Sequence, residues 1–169
     1  MKLDKSPQGF YDEDIISLLN IINKKYQTTS SCSGRITLLK GNKKGNVEWI
    51  YKTHKSAFAS KIYNLLQKYK QLRFFYEPLI IHIQCKDEKE SNNLLKLLQS
   101  NGFKKTCLLS FRNYTVQIND TGSMETILTN KLPLNYIKLL TTEANKRLKK
   151  TKDNIKKLED LLSYTSFNS

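Results

Sequence analysis

Apolar residues at helical spacing, Ile15, Leu18, Leu19, Ile22 and Tyr26, predict an amphipathic helix over about 12–25. Asp12 stands ahead of it as a candidate N-cap, and Glu13 and Asp14 suit the positive end of a helix. The pattern then breaks at Thr28-Thr29-Ser30-Ser31-Cys32-Ser33-Gly34-Arg35. Hydroxyl side chains compete for backbone hydrogen bonds and disfavour helix interiors. This stretch therefore reads as a helix-exit loop or an irregular strand start. It can present hydroxyls, backbone N–H groups and one guanidinium on a single surface, where phosphate, carboxylate or ribose groups are readily held. A polar turn whose hydroxyls only cap nearby backbone is the simpler alternative.

A hairpin follows, with Ile36, Leu38 and Leu39 on one arm and Val47 to Tyr51 on the other, around the breakers of 40–46. His54 falls at the end of the second arm among basic residues. Residues 56 to about 70 suit a helix with Phe58, Ile62, Leu65, Leu66 and Tyr69 inward. It runs into a basic, aromatic patch from Lys68 to Tyr76, and Glu77-Pro78 stops any continuation. Leu79 to Cys85 is apolar on both faces, which predicts a central strand covered on each side. His82 lies inside it, a position more often held by a core histidine than by a catalyst. Asp87 caps a helix to about Ser100, closed by Asn101-Gly102. Clean alternation gives a second hairpin, Cys107, Leu109 and Phe111 returning through Tyr114, Val116 and Ile118. Residues 119–123 form a loop. From Pro133, Leu134, Ile137, Leu140, Ala144, Leu148, Ile155, Leu158 and Leu162 predict one long helix, with Lys146, Arg147, Lys149, Lys150, Lys152, Lys156 and Lys157 on much of the remainder. Such a helix is either a solvated strut or a basic rail for nucleic acid. With no repeat and no linker, residues 1–169 read as a single α+β domain with a mixed, mainly antiparallel sheet, flanking helices and a long C-terminal helix.

Charge narrows the partner. The 29 Lys and Arg against 15 Asp and Glu leave a formal charge of +14, which favours a polyanion, most often nucleic acid. Cys32, Cys85 and Cys107 are isolated, so neither a zinc ribbon nor a disulfide framework is expected, and a reducing cytoplasm fits best. No apolar run reaches membrane-spanning length and Met1 to Lys5 has no signal-peptide character. Walker A, a Rossmann Gly-x-Gly-x-x-Gly, a nucleophile elbow and Cys/His metal spacing are all missing, so no metal is expected. From the residues alone the chain is a basic domain with one unusual polar stretch, two histidines and Glu77. It does not reach a reaction.

In their order along the chain, several pieces resemble the tRNA wybutosine-synthesising protein 3 family. They are Asp12-Glu13-Asp14, Thr28 to Arg35, Trp49 leading to Thr53-His54-Lys55, Glu77-Pro78, His82-Ile83-Gln84-Cys85, Gly102-Phe103, the Thr121 to Glu125 loop, and Tyr136 with Ala144-Asn145. The resemblance implies an S-adenosylmethionine-dependent methyltransferase that methylates N-4 of a wybutosine-precursor tricyclic base beside the anticodon of phenylalanine tRNA. It also implies that the cofactor is held without a Rossmann turn. On this reading His54, Ser31 and His82 are the catalytic candidates, with His54 the favoured base. Ser30, Ser33, Arg35 and Thr121 are expected at the cofactor, and Asp14, Glu77, Lys55 and Arg112 at the substrate. Cys32 is not a nucleophile, because direct methyl transfer needs none. Oligomeric state is left open, with a monomer favoured. The rival expectations are a non-catalytic basic RNA-binding module, a scaffold of the same pathway and a phosphate-handling enzyme.

Overall fold

Two apolar clusters organise the chain in the computed structural model, which describes residues 12–41 and 46–166. Its elements are a 3-10 turn Glu13–Ile15, helix α1 Ile16–Ile22, strands β1 Gln27–Lys40 and β2 Glu48–Thr53, helix α2 Ala59–Tyr69, strand β3 Gln71–Gln84, helix α3 Glu88–Ser100, strands β4 Cys107–Ser110, β5 Thr115–Asn119 and β6 Met124–Thr129, and helix α4 Leu134–Ser166. The fold is α+β, and the pairings β1–β2, β3–β5, β3–β6 and β4–β5 are all antiparallel. The chain forms two compact units. One contains the chain up to Ser33, Leu79–Thr121 and the chain from Thr151; the other contains Gly34–Pro78 and Gly122–Lys150. β1, β3 and α4 supply residues to both.

In the first unit, Leu18, Leu19 and Ile22 of α1, Leu79, Ile81 and Ile83 of β3, Leu94 and Leu98 of α3, Val116 and Ile118 of β5, and Ile155, Leu158 and Leu162 of α4 share one core. In the second, Ile36 and Leu38 of β1, Ile62 and Leu66 of α2, Leu72, Phe74 and Tyr76 of β3, Leu128 of β6, and Ile137, Ala144 and Leu148 of α4 share another. Period-2 burial on strands and 3.6-period burial on helices carry both sets. The apolar stripe of α4 is thus packed along its length, while Lys146, Lys149, Lys150, Lys156 and Lys157 stay exposed. No helix among the described residues is long and apolar enough to cross a membrane.

Several expectations change. Of the two readings of the Thr28–Ser33 stretch, loop or strand start, the structure takes the second: it is the first half of β1, so its side chains alternate instead of sharing one surface. β3 begins at Gln71, not Leu79, and carries Pro78 in its middle. Proline has no N–H to give a ladder, and on the β5/β6 side it falls in a gap: residues paired with β6 end at Tyr76 and those paired with β5 begin at Ile80. Leu79, Ile81 and Ile83 are buried but Ile80 and His82 are not fully so; one face of β3 is packed, not two. Phe58 is the exposed residue ahead of α2 and not part of its buried stripe, at 69% exposure. The alternation of β4 is right in period, but Leu109 and Phe111 face outward, at 52% and 78% exposure. β6 falls in a segment for which no strand is expected; of its residues only Leu128 is buried. The hairpin tip at 42–45 lies outside the described residues.

Candidate active site

Alternation along β1 sorts its hydroxyls. The Ser31 hydroxyl is buried and, among the described residues, has no hydrogen-bond partner. Ser33 is fully buried. Ser30 instead meets β3, with its Oγ 2.8 Å from His82 Nδ1. The opposite ring nitrogen, His82 Nε2, lies 2.8 Å from Gln117 Oε1, and His82 and Gln117 are direct cross-strand partners of β3 and β5. A carbonyl oxygen only accepts, so Nε2 carries the ring proton and donates to Gln117. Nδ1 is then the acceptor for the Ser30 O–H. Three neighbouring strands thereby line up a hydroxyl, an imidazole and an orienting amide, which is the geometry of an activated hydroxyl with its base held in one tautomer.

A second polar knot of this unit holds the end of the Ser/Thr stretch. The Ser33 N–H donates to Asp12 Oδ2 at 2.9 Å, and Lys152 Nζ of α4 donates to Ser33 O at 3.1 Å and to Ser33 Oγ at 2.9 Å. The same ammonium pairs with Asp14 Oδ2 at 2.8 Å. Asp12 does occupy the N-cap position of the 3-10 turn, but its side chain makes no cap bond there because it serves Ser33. Asp14 and Ser33 are therefore joined through one lysine.

In the other unit, Gly34 takes φ +89°, a conformation open to glycine and strained for other residues. Its carbonyl accepts from His54 Nδ1 at 3.0 Å, so the proton of that ring sits on Nδ1 and Nε2 is the basic nitrogen. Arg35 grips Glu77 across from β1 to β3, Nε to Oε2 at 2.5 Å and Nη2 to Oε1 at 3.3 Å. Its guanidinium carbon also lies 4.9 Å from the centre of the Trp49 ring. Lys55 is exposed beside a small turn in which Thr53 Oγ1 bonds its backbone.

Two expected residues stand apart from these groups. Arg112 sits on the exposed turn between β4 and β5. Thr121 is exposed after β5, with its N–H donating to Asp120 Oδ1, and Asp120 is in turn held by Thr151 Oγ1 at 2.8 Å and Asn154 Nδ2 at 3.0 Å. Gln117, Lys152 and Trp49 were not among the expected site residues. Lys152 is one of many lysines on α4, and Gln117 is a polar residue in a polar-apolar alternation; neither carries a signal of its own in one sequence.

Comparison with known proteins decides the family. The sequence model of Methyltransferase TYW3 matches residues 1–164. The chain belongs to the Methyltransferase TYW3 family. A Thermococcus sibiricus relative named tRNA(Phe) 7-((3-amino-3-carboxypropyl)-4-demethylwyosine(37)-N(4))-methyltransferase is 34% identical over 93% of this chain and 86% of its own. A Methanocaldococcus jannaschii protein of the same name is 31% identical over 86% and 83%. Among solved structures, the PH1069 protein from Pyrococcus horikoshii superposes with a TM-score of 0.82 at 32% identity, covering 92% of this chain and 87% of that one.

The groups of this Methyltransferase TYW3 chain suit methyl transfer to nitrogen. A methyltransferase needs a methyl donor, and the family implies S-adenosylmethionine as the usual one. That group carries a carboxylate, an amine, ribose hydroxyls and an adenine. The Ser31 hydroxyl fits such a group, because it is buried and has no hydrogen-bond partner among the described residues. Cys85, just after β3, is unsuited to nucleophilic work. Burial, reinforced by Glu90 and Asp87, pushes its thiol up to about 11. Tyr26, just before β1, is pushed up to about 12 by burial and then by Glu90 and Cys85. Both stay protonated at neutral pH.

Proposed function

We propose that this protein transfers a methyl group from S-adenosylmethionine to N-4 of a wybutosine-precursor tricyclic base in phenylalanine tRNA, acting as one domain in the cytoplasm, and as a monomer. The family match over 1–164, with relatives named for that reaction, is the observation that carries the reading. The +14 charge agrees with a tRNA substrate.

S-adenosylmethionine supplies an electrophilic methyl; the protein's part is to position the base and remove one proton from its ring nitrogen. Ser30 Oγ takes that proton as its own moves to His82 Nδ1, and Gln117 keeps the ring oriented throughout. Ser31 and Thr121 provide hydroxyls for the cofactor. Ser33 acts indirectly, since its hydroxyl is held by Lys152. Asp14 and Glu77 are positioning residues, fixing Lys152 and Arg35. Lys55 and Arg112 are exposed cations suited to tRNA phosphates. His54, its ring fixed by Nδ1–H on the Gly34 carbonyl, is the other imidazole that could take part in the proton transfer.

The test is incubation of the purified protein with methyl-labelled S-adenosylmethionine and phenylalanine tRNA from a strain stalled before this step, followed by nucleoside mass measurement. One added methyl on the tricyclic base is the expected result. Tight tRNA binding without transfer would replace the enzyme by a non-catalytic RNA-binding module.

A further inference from the structure

Trp49 is the chain's single tryptophan, and it is half exposed although it stands in a strand. An irregularity in β2 explains how it is aimed. The β1–β2 register runs Ile36↔Thr53, Thr37↔Lys52, Leu38↔Tyr51, then slips to Leu39↔Trp49, leaving Ile50 as the extra residue. Strand alternation would put positions 49 and 52, three apart, on opposite faces. The bulge brings them to the same face, and Lys52 Nζ lies 6.0 Å from the Trp49 ring centre.

Arg35 finishes the arrangement. Its guanidinium covers the indole at 4.9 Å while Glu77 holds the guanidinium in place. A cation stacked on one ring face fixes the ring and leaves 51% of the residue in solvent. So exposed, the indole is open to a ligand. The ligand that matches it is flat, aromatic and joined to negative charge. A nucleobase in a strand has those features, with its π-face for the indole and its flanking phosphate for Lys52.

We infer that Trp49, backed by the Arg35–Glu77 pair and flanked by Lys52, is a stacking platform for an unpaired nucleobase of the RNA substrate. This rests on the proposed tRNA reading and deepens it. Neither Trp49 nor Lys52 belongs to the residues assigned to the transfer itself. The bulge is the device that makes the platform, because a regular hairpin would turn the indole away from Lys52.

The lone tryptophan reports its own ligand. Titrating the full-length protein with a phenylalanine tRNA anticodon stem-loop should quench Trp49 emission saturably, in step with binding followed by anisotropy of an end-labelled RNA. W49A should weaken that binding by roughly tenfold or more, and W49F should recover most of it. K52A should lower the slope of log affinity against log salt by about 1. RNA binding with unchanged emission and an unaffected W49A would overturn the platform. So would quenching by S-adenosylmethionine alone with none by RNA. Quenching without any methyl transfer would keep the platform and defeat the enzyme reading; transfer with a silent Trp49 would do the reverse.

Discussion

Replacing Lys152 by methionine isolates what its ammonium does for β1. In the native protein that group satisfies the carbonyl and the hydroxyl of fully buried Ser33 and pairs with Asp14. An unsatisfied buried acceptor costs roughly 1–3 kcal/mol, and K152M takes a donor from both the Ser33 carbonyl and its hydroxyl. Asp14 is 43% exposed, so its share of the pair is worth only about 0–1 kcal/mol. The expected loss is about 2–4 kcal/mol for K152M and about 0–1 kcal/mol for D14N, a large difference against a typical total stability of roughly 5–15 kcal/mol. With a urea slope of roughly 1–3 kcal/mol per molar, K152M should unfold about 1–2 M earlier. Far-UV circular dichroism across a urea series reads this directly. If K152M and D14N unfold together, the ammonium is serving Asp14 and not the buried serine, and the account of β1 given above fails.

The remaining predictions concern the site and two acids, Cys85 and Tyr26, whose protonated forms the fold favours. H82N should lower kcat by roughly 10²–10⁴-fold while leaving tRNA affinity alone, since a positioned base contributes about that much; equal loss of affinity would make His82 structural. Q117L should shift the pH profile of kcat with a smaller loss, and an unmoved profile would remove Gln117 from the relay. Native protein treated with iodoacetamide at pH 8 should be labelled at exposed Cys107 well before Cys85, whose thiol is pushed up to about 11; comparable labelling by peptide mass would refute that burial. Because Cys85 and Tyr26 are both raised in the folded chain, their stabilisation is intact below about pH 9 and is lost as pH rises through about 11 and about 12. Thermal melts should therefore fall over that window, and a flat Tm across it would count against both shifts.

Periodic apolar positions made most elements legible in the sequence: α1, α3 with its Asp87 cap, the β4–β5 hairpin and α4 all follow from spacing and punctuation. What misled was chemistry that a strand tolerates under special conditions. A run of hydroxyls reads equally as a loop or as a strand start, and β1 can hold it because Asp12, Lys152 and His82 take up its polar groups. Glu77-Pro78 reads as a break, yet β3 runs through it in the gap between its pairings with β6 and with β5. β6 has one buried residue in six and leaves almost no period to detect. At the site, the Ser/Thr stretch, Arg35 and both histidines stand out by composition. Their partners do not: the pairing of Ser30 with His82, separated by 52 positions, and of Arg35 with Glu77, by 42, depends on which strands lie side by side.

The non-contiguous make-up of each unit has a consequence for biosynthesis. Ile155, Leu158 and Leu162 belong to the same core as Leu18 and Leu79, and Ile137, Ala144 and Leu148 to the same core as Ile36. Neither core is complete until its stretch of α4 has left the ribosome. At translation speeds of roughly 5–20 residues per second, the apolar faces of β1 and β3 wait several seconds for that cover. Nascent chains of this protein are consequently expected to need a chaperone's shelter, and a stop codon anywhere before α4 should give an aggregating fragment instead of a smaller working domain.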